Sequence, residues 1–234
     1  VFRYGWLGVA HFFMISGYVI LMSLENSSGT LEFIAKRWLR LFPAMFICSI
    51  LVFFTAPFFH ERPAGTPSWS SLLPGFTFID PTWWSSALGY KIRPLENAYW
   101  SLYVEVVFYL VAAFAFAWRS SIGVMAILIS AHVFSLVARL GREYVSSDTF
   151  MPLYLLQKEM YLDYFGWFAT GCAFFLFHKS KHLSWYFAGL ALGLSSAWLV
   201  RGSHWPSSQA ACFLVLLFAI SMVSKTLQTA LSIR

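Results

Sequence analysis

Apolar runs recur along this chain, at about residues 6–24, 41–59, 98–117, 121–139, 161–178, 184–200 and 208–224. A helix needs about 20 mostly apolar residues to cross a bilayer, and lipid offers an exposed backbone no partner outside a helix or a closed barrel. The runs therefore predict an all-α fold, a polytopic integral membrane helical bundle of about seven transmembrane helices, the fifth and sixth short. Composition agrees. The chain is 59% hydrophobic and 11% charged, with a mean hydropathy of +0.66, where soluble domains carry about 25% charged residues. Aromatic residues make up 20%, which suits interfacial belts of Trp and Tyr.

The formal charge of +6 is not a nucleic-acid signature, because the basic residues are scattered between apolar runs. Cys48, Cys172 and Cys212 all sit within apolar segments, without the spacing of a zinc site, and no metal is expected. No GxxxxGK, GxSxG or HExxH motif is present, which argues against a P-loop ATPase, an elbow-type serine hydrolase and a zincin.

Orientation follows from basic residues in the connections. The 25–40 connection carries Lys36, Arg37 and Arg40, and alternation places Arg119, Lys179 and Lys181 on the same side. Basic residues are denser there, so that side is read as cytoplasmic and the protein as multi-pass in the plasma membrane. Two long connections fall on the other side. The one at about 60–97 is long and rich in Trp, Phe and Pro, and reads as a surface or lid segment. The one at about 140–160 is mixed in charge and reads as a loop. The whole span 1–234 is read as one transmembrane domain. It begins just before one membrane run and stops just after another, and is expected to be part of a longer protein.

Three places carry chemistry. In "NAYWSLYVEVVFYLVAAFAF" (Asn97–Phe116) a carboxylate, Glu105, stands inside an apolar run, where a charge costs roughly 2.5–3.5 kcal/mol on insertion scales. Residues four apart share a helix face, so Ser101, Glu105 and Tyr109 form one polar stripe that belongs inside the bundle. Glu105 can act as a general base or orient a histidine, or it can be a structural carboxylate bonded to a neighbouring helix. In "GWLGVAHFFMISGYVI" (Gly5–Ile20) His11 and Ser16 interrupt an apolar run whose Gly5, Gly8 and Gly17 permit close helix approach. His11 lies about 8 Å into the bilayer at 1.5 Å per residue, a depth similar to that of Glu105. It is a catalytic candidate or a packing histidine, and Ser16 is read as a bond across helices. In "KRWLRLFP" (Lys36–Pro43) Arg37 and Arg40 lie one turn apart, and Pro43 suits the first turn of the next helix. The commoner role of such a cluster is a positive-inside anchor. The sharper one is a clamp for the phosphates of a cytoplasmic cofactor. His132 and Asp163 lie in or at the edge of helices, while His60, His178, His182 and His204 lie near helix ends.

"GWLGVAHFFMISGYVIL", "RWLRLFPAMF" and "YWSLYVEVVFYL" resemble, in order and spacing, the motifs of the membrane acyltransferase-3 family, which includes O-acetylases of bacterial surface polysaccharides. The motifs cover the first half of the chain, and "DYFGWFATGCAFF" is loosely similar to a later family segment. The resemblance implies a bacterial inner-membrane enzyme moving an acyl group, usually acetyl from acetyl-CoA, onto a sugar hydroxyl. It implies motif positions for Ser16, Gly17, Arg37, Arg40, Pro43, Trp100, Ser101, Glu105, Phe108 and Tyr109. His11 stands where the family often has an acidic residue. The family's catalytic histidine is expected on a helix upstream of Val1. On this reading Glu105 and His11 are catalytic, Arg37 and Arg40 hold acyl-CoA, and Ser16, Trp100, Ser101 and Tyr109 shape the site. The partners would be the bilayer, the acyl-CoA and a glycan acceptor, with no nucleic acid. The sequence does not fix the oligomeric state. The rival reading is a membrane transporter or flippase, which should show internal repeats; none is visible.

Overall fold

The computed structural model describes residues 5–59, 62, 64–145, 147–200 and 205–232. His60 and His204 lie outside them. Among the described residues there is no β-strand. The helices are α1 (Gly5–Glu25), α2 (Thr30–Thr55), α3 (Leu72–Thr77), α4 (Pro81–Leu88), α5 (Trp100–Leu140), α6 (Ser147–Glu159), α7 (Phe165–Ser180), α8 (Leu183–Val200) and α9 (Trp205–Ser232). Among the described residues three helical stretches are long and apolar enough to cross a membrane: Leu7–Glu25, Thr30–Phe58 and Asn97–Val145. Leu183–Leu199 and Ser208–Val223 are shorter apolar helices.

Two expectations are corrected. Lys36, Arg37 and Arg40 are not in a connection, because α2 begins at Thr30 and runs through Pro43. Proline removes only its own N–H bond and crowds the preceding turn. Good helix formers around 36–42 and an i,i+4 ion pair, Lys36 Nζ to Glu32 at 2.5 Å, hold the turns before it. The 140–160 segment is not a loop either. It forms a π-helical turn at Gly141–Val145 and then α6.

The chain forms two compact units. One contains residues 28–111. There the aromatic segment 69–88 folds onto α2. Phe78 meets Trp38 at 5.0 Å, and Trp69 meets Phe53 at 4.8 Å between ring centroids. A core of Met45, Phe78, Leu95, Tyr99 and Tyr103 lies beneath. Asp80 caps α4 by accepting from Thr82 N at 2.7 Å, with Pro81 in the first turn. Arg62 fastens the segment to the entry of α5, donating to Leu95 O at 2.8 Å and pairing with Glu96 at 3.1 Å.

The other unit contains residues up to Ser27 and from Ala112 onward. Its centre is α7, buried from Phe165 to Phe177, with α1 on one side, α8 on another, and α9 against α8. Small residues let α1 and α7 touch. A Cβ at Gly17 would fall on the Phe168 carbonyl, and one at Gly171 on the Met14 carbonyl. Gly8, expected to share this role, faces open space. Cys172 Sγ donates to Gly17 O at 3.2 Å across the same contact. Within α5 the backbone leaves helical geometry at Arg119 and Ser120, so the runs 98–117 and 121–139 are separate straight pieces. Glu25 at the end of α1 accepts from Ser121 Oγ at 2.6 Å and pairs with Lys179 Nζ at 2.7 Å.

Candidate functional site

The unit 28–111 buries a polar cluster between α2 and the first part of α5. Tyr109 donates its hydroxyl hydrogen to Glu105, one turn earlier on the same helix. The guanidinium carbon of Arg37 lies 5.8 Å from the centre of the Tyr109 ring and 5.5 Å from that of Phe33. The two rings meet edge to face at 6.2 Å. Exposure is 5% for Glu105, 6% for Tyr109 and 8% for Arg37, so these groups are withdrawn from whatever surrounds the helices.

The local sequence explains the arrangement. Glu105 and Tyr109 are four residues apart and share a face. On α2 the same spacing aligns Phe33 with Arg37, so the cation sits against two π faces. Each such contact is worth about 0.5–2 kcal/mol, the larger value when desolvated. A buried cation and a buried carboxylate are tolerable in apolar surroundings when each has polar or charged company. Arg37 and Arg40 both bring positive charge near the Tyr109 hydroxyl. Arg40 is exposed, as is fitting for a group that meets a ligand or headgroup. Such a cluster can hold an anion through the arginines and keep a fixed carboxylate near it.

The remaining predicted residues are placed as follows. Ser101 stands at the N-terminal end of the stripe and donates to Ala98 O at 3.4 Å. It does not join the Glu105–Tyr109 bond. Trp100 is half-buried at the start of α5, and Ser16 is buried in α1. His11 belongs to the other unit. Its ring meets Phe218 of α9 edge to face at 5.6 Å, and its Nδ1 has no hydrogen-bond partner among the described residues.

Sequence reasoning passed over two further groups. In the unit centred on α7, His132 Nε2 and Ser195 Oγ lie 2.8 Å apart. Asp163 accepts from Ser135 Oγ at 3.1 Å and from Gln157. His132, Ser135, Gln157 and Ser196 are all essentially inaccessible. A Cβ at Gly166 would collide with Ser196 Oγ and His132 Nδ1. The spacing of His132 and Ser135 in an apolar run was the available signal. In the unit 28–111, Ser49, Tyr99 and Tyr103 bury three hydroxyls. None has a hydrogen bond of normal geometry among the described residues, although Tyr99 and Ser49 face each other. Among the described residues no cluster of His, Cys, Asp or Glu is large enough to hold a metal ion.

Fold and site define an all-helical chain with membrane-length apolar helices and a buried Arg–Tyr–Glu cluster. Over 50 residues the chain is 48% identical to an O-acetyl transferase of Shigella phage Sf6. That stretch is 21% of this chain and 15% of the phage protein. No family model matches the chain, and no solved structure matches it.

Proposed function

We propose that this chain is part of a multi-pass membrane O-acetyltransferase of the acyltransferase-3 type. It would move an acetyl group from an acyl-CoA to a hydroxyl of a cell-surface glycan. The observation that carries the reading is the buried contact of Arg37 with Tyr109, whose hydroxyl is bound to Glu105. It unites two of the three motifs on which the family resemblance rests. The short similarity to a phage O-acetyl transferase supports the acetyl-transfer chemistry.

In this mechanism all seven apolar runs cross the bacterial inner membrane, and the two units belong to one domain. Arg40, at the exposed end of the cluster, and Arg37 behind it attract the phosphates of the donor. Tyr109 fixes the Glu105 carboxylate in one orientation. Glu105, with a histidine elsewhere in the protein, draws the proton from the acceptor hydroxyl as it attacks the thioester carbonyl. The CoA thiolate leaves and takes up a proton, and the glycan carries the new ester. Ser16, Trp100 and Ser101 shape the approach.

The test is the surface glycan itself. Proton NMR of glycan from cells lacking the gene, and from the same cells with the full-length gene restored, should show O-acetyl signals only when the gene is present. Identical spectra would remove the glycan as acceptor and return a transporter to consideration.

A further inference from the structure

The buried polar group of the α7-centred unit lies where α5, α7 and α8 meet, and its parts stand in a definite order. Ser195 is half-buried on α8. Its Oγ lies 2.8 Å from Nε2 of His132, which is sealed at 1% exposure. Asp163, just before α7, is near enough for its charge to act on the His132 ring. Ser135, one turn beyond His132 on α5, donates to Asp163 at 3.1 Å, and Gln157 of α6 donates to it as well. A hydroxyl in front, a base behind it and a carboxylate near the base is the order that activates a nucleophile.

The arrangement is more than a bridge between helices needs. His132 Nδ1 is buried and has no hydrogen-bond partner among the described residues. Buried polar atoms are rarely left so, and an apolar pair would join α5 to α8 at less cost. The ring is also confined. A Cβ at Gly166 would collide with His132 Nδ1 and Ser196 Oγ, so α7 packs bare backbone against the Nδ1 edge while the Nε2 edge meets Ser195. The Ser195 hydroxyl also lies 3.0 Å from Leu192 O. Moving its hydrogen from that carbonyl to Nε2 takes only a rotation about the Cβ–Oγ bond. Nδ1 then carries the ring hydrogen, and Asp163 offsets the positive charge that the ring acquires in reaction. Ser195 stands beside the exposed part of α8, next to Leu194 and Trp198, so a small electrophile reaches it from the surface and needs no enclosed cavity.

We propose that Ser195 is a nucleophile activated by His132, and that it takes an acetyl group from a thioester or an activated ester. This is a second acyl-transfer centre, built from other residues than the Glu105 cluster. Ser195 Oγ bonds to the carbonyl carbon as its proton passes to His132 Nε2. The bond from that carbon to the leaving sulfur or oxygen then breaks, and the leaving group takes the proton from His132. Ser195 is left as an acetyl ester and His132 as a neutral ring. Attack on the ester by water or another hydroxyl, whose proton passes through His132 to the Ser195 oxygen, restores the serine. Only the naming of acyl-CoA as the donor rests on the proposed function.

The test uses the full-length protein in lipid nanodiscs, acetyl-CoA or p-nitrophenyl acetate as donor, acid quenching, and mass spectrometry of the peptides. An acetyl group should be found on Ser195. Ser195→Cys should also be acetylated, its thioester being cleaved by neutral hydroxylamine while the serine ester resists. In His132→Gln, with folding checked by thermal unfolding, acetylation of Ser195 should slow roughly 10²–10⁴-fold, the usual contribution of a positioned base. No acetyl group on Ser195 from either donor, or an unchanged rate in His132→Gln, overturns the proposal. Acetylation of Ser195 by p-nitrophenyl acetate but not by acetyl-CoA supports the nucleophile and counts against acyl-CoA as the donor in the proposed function.

Discussion

Tyr109 and Glu105 are joined by a hydrogen bond one turn apart on α5, and the guanidinium carbon of Arg37 lies 5.8 Å from the centre of the same phenol ring. One tyrosine thus serves both buried charges. Tyr109→Phe keeps the ring for Arg37 and removes the donor from Glu105. A hydrogen bond to a charged group contributes about 1.5–3 kcal/mol. The variant should melt measurably lower in detergent and lose acetyl transfer while membrane levels stay near normal.

Tyr103→Phe makes the opposite point. The Tyr103 hydroxyl is buried and has no hydrogen-bond partner among the described residues. Its removal deletes an unsatisfied group and leaves none behind, so stability should be unchanged or rise by up to about 1 kcal/mol. Thermal unfolding of the two Tyr→Phe variants side by side separates a used hydroxyl from an unused one. A fall for Tyr103→Phe as large as that for Tyr109→Phe would show that Tyr103 has a partner.

The two arginines should behave differently. Arg37 is buried against two rings, and a lysine there lacks the planar group that stacks on them. Arg37→Lys should lower stability by about 1 kcal/mol and impair transfer. Arg40 is exposed, so Arg40→Ala should leave the melting temperature alone. If Arg40 meets the donor's phosphates, the same variant should raise the KM for acetyl-CoA about tenfold, the effect of losing roughly 1.4 kcal/mol of binding. An unchanged KM would leave Arg40 as a membrane anchor.

Gly17 and Gly8 lie nine residues apart on α1 and should differ sharply. Gly17→Ala drives a methyl group into the Phe168 carbonyl and should cost about 1–3 kcal/mol through overpacking. Gly8→Ala meets nothing and should be neutral, or stabilising by up to about 1 kcal/mol from helix propensity. Unfolding curves of the two proteins decide the matter.

These contrasts show how far the sequence can be read. Hydropathy locates the apolar helices, since burial of a 20-residue run needs no partner to be recognised. Glu105 and Tyr109 are legible as a pair because their contact lies within one helix. Arg37 is not, because Pro43 looks like a helix start when it stands more than three turns inside one. Its place against Tyr109 depends on α2 packing on α5, which no local pattern specifies. The His132–Ser195 contact joins residues far apart in the chain, α5 to α8, and is invisible for the same reason. Segment 147–159 is read as a loop because its charges mask a helix, α6, whose Gln157 is buried in the tertiary structure.

The most direct test of the central claim is the surface glycan of cells carrying full-length protein with Glu105→Gln, set against wild type at matched membrane levels. The substitution keeps shape and hydrogen bonding near Tyr109 but removes the negative charge. The account predicts that O-acetyl signals in the glycan NMR spectrum disappear. Full acetylation in Glu105→Gln would contradict it and reduce the buried cluster to a structural role.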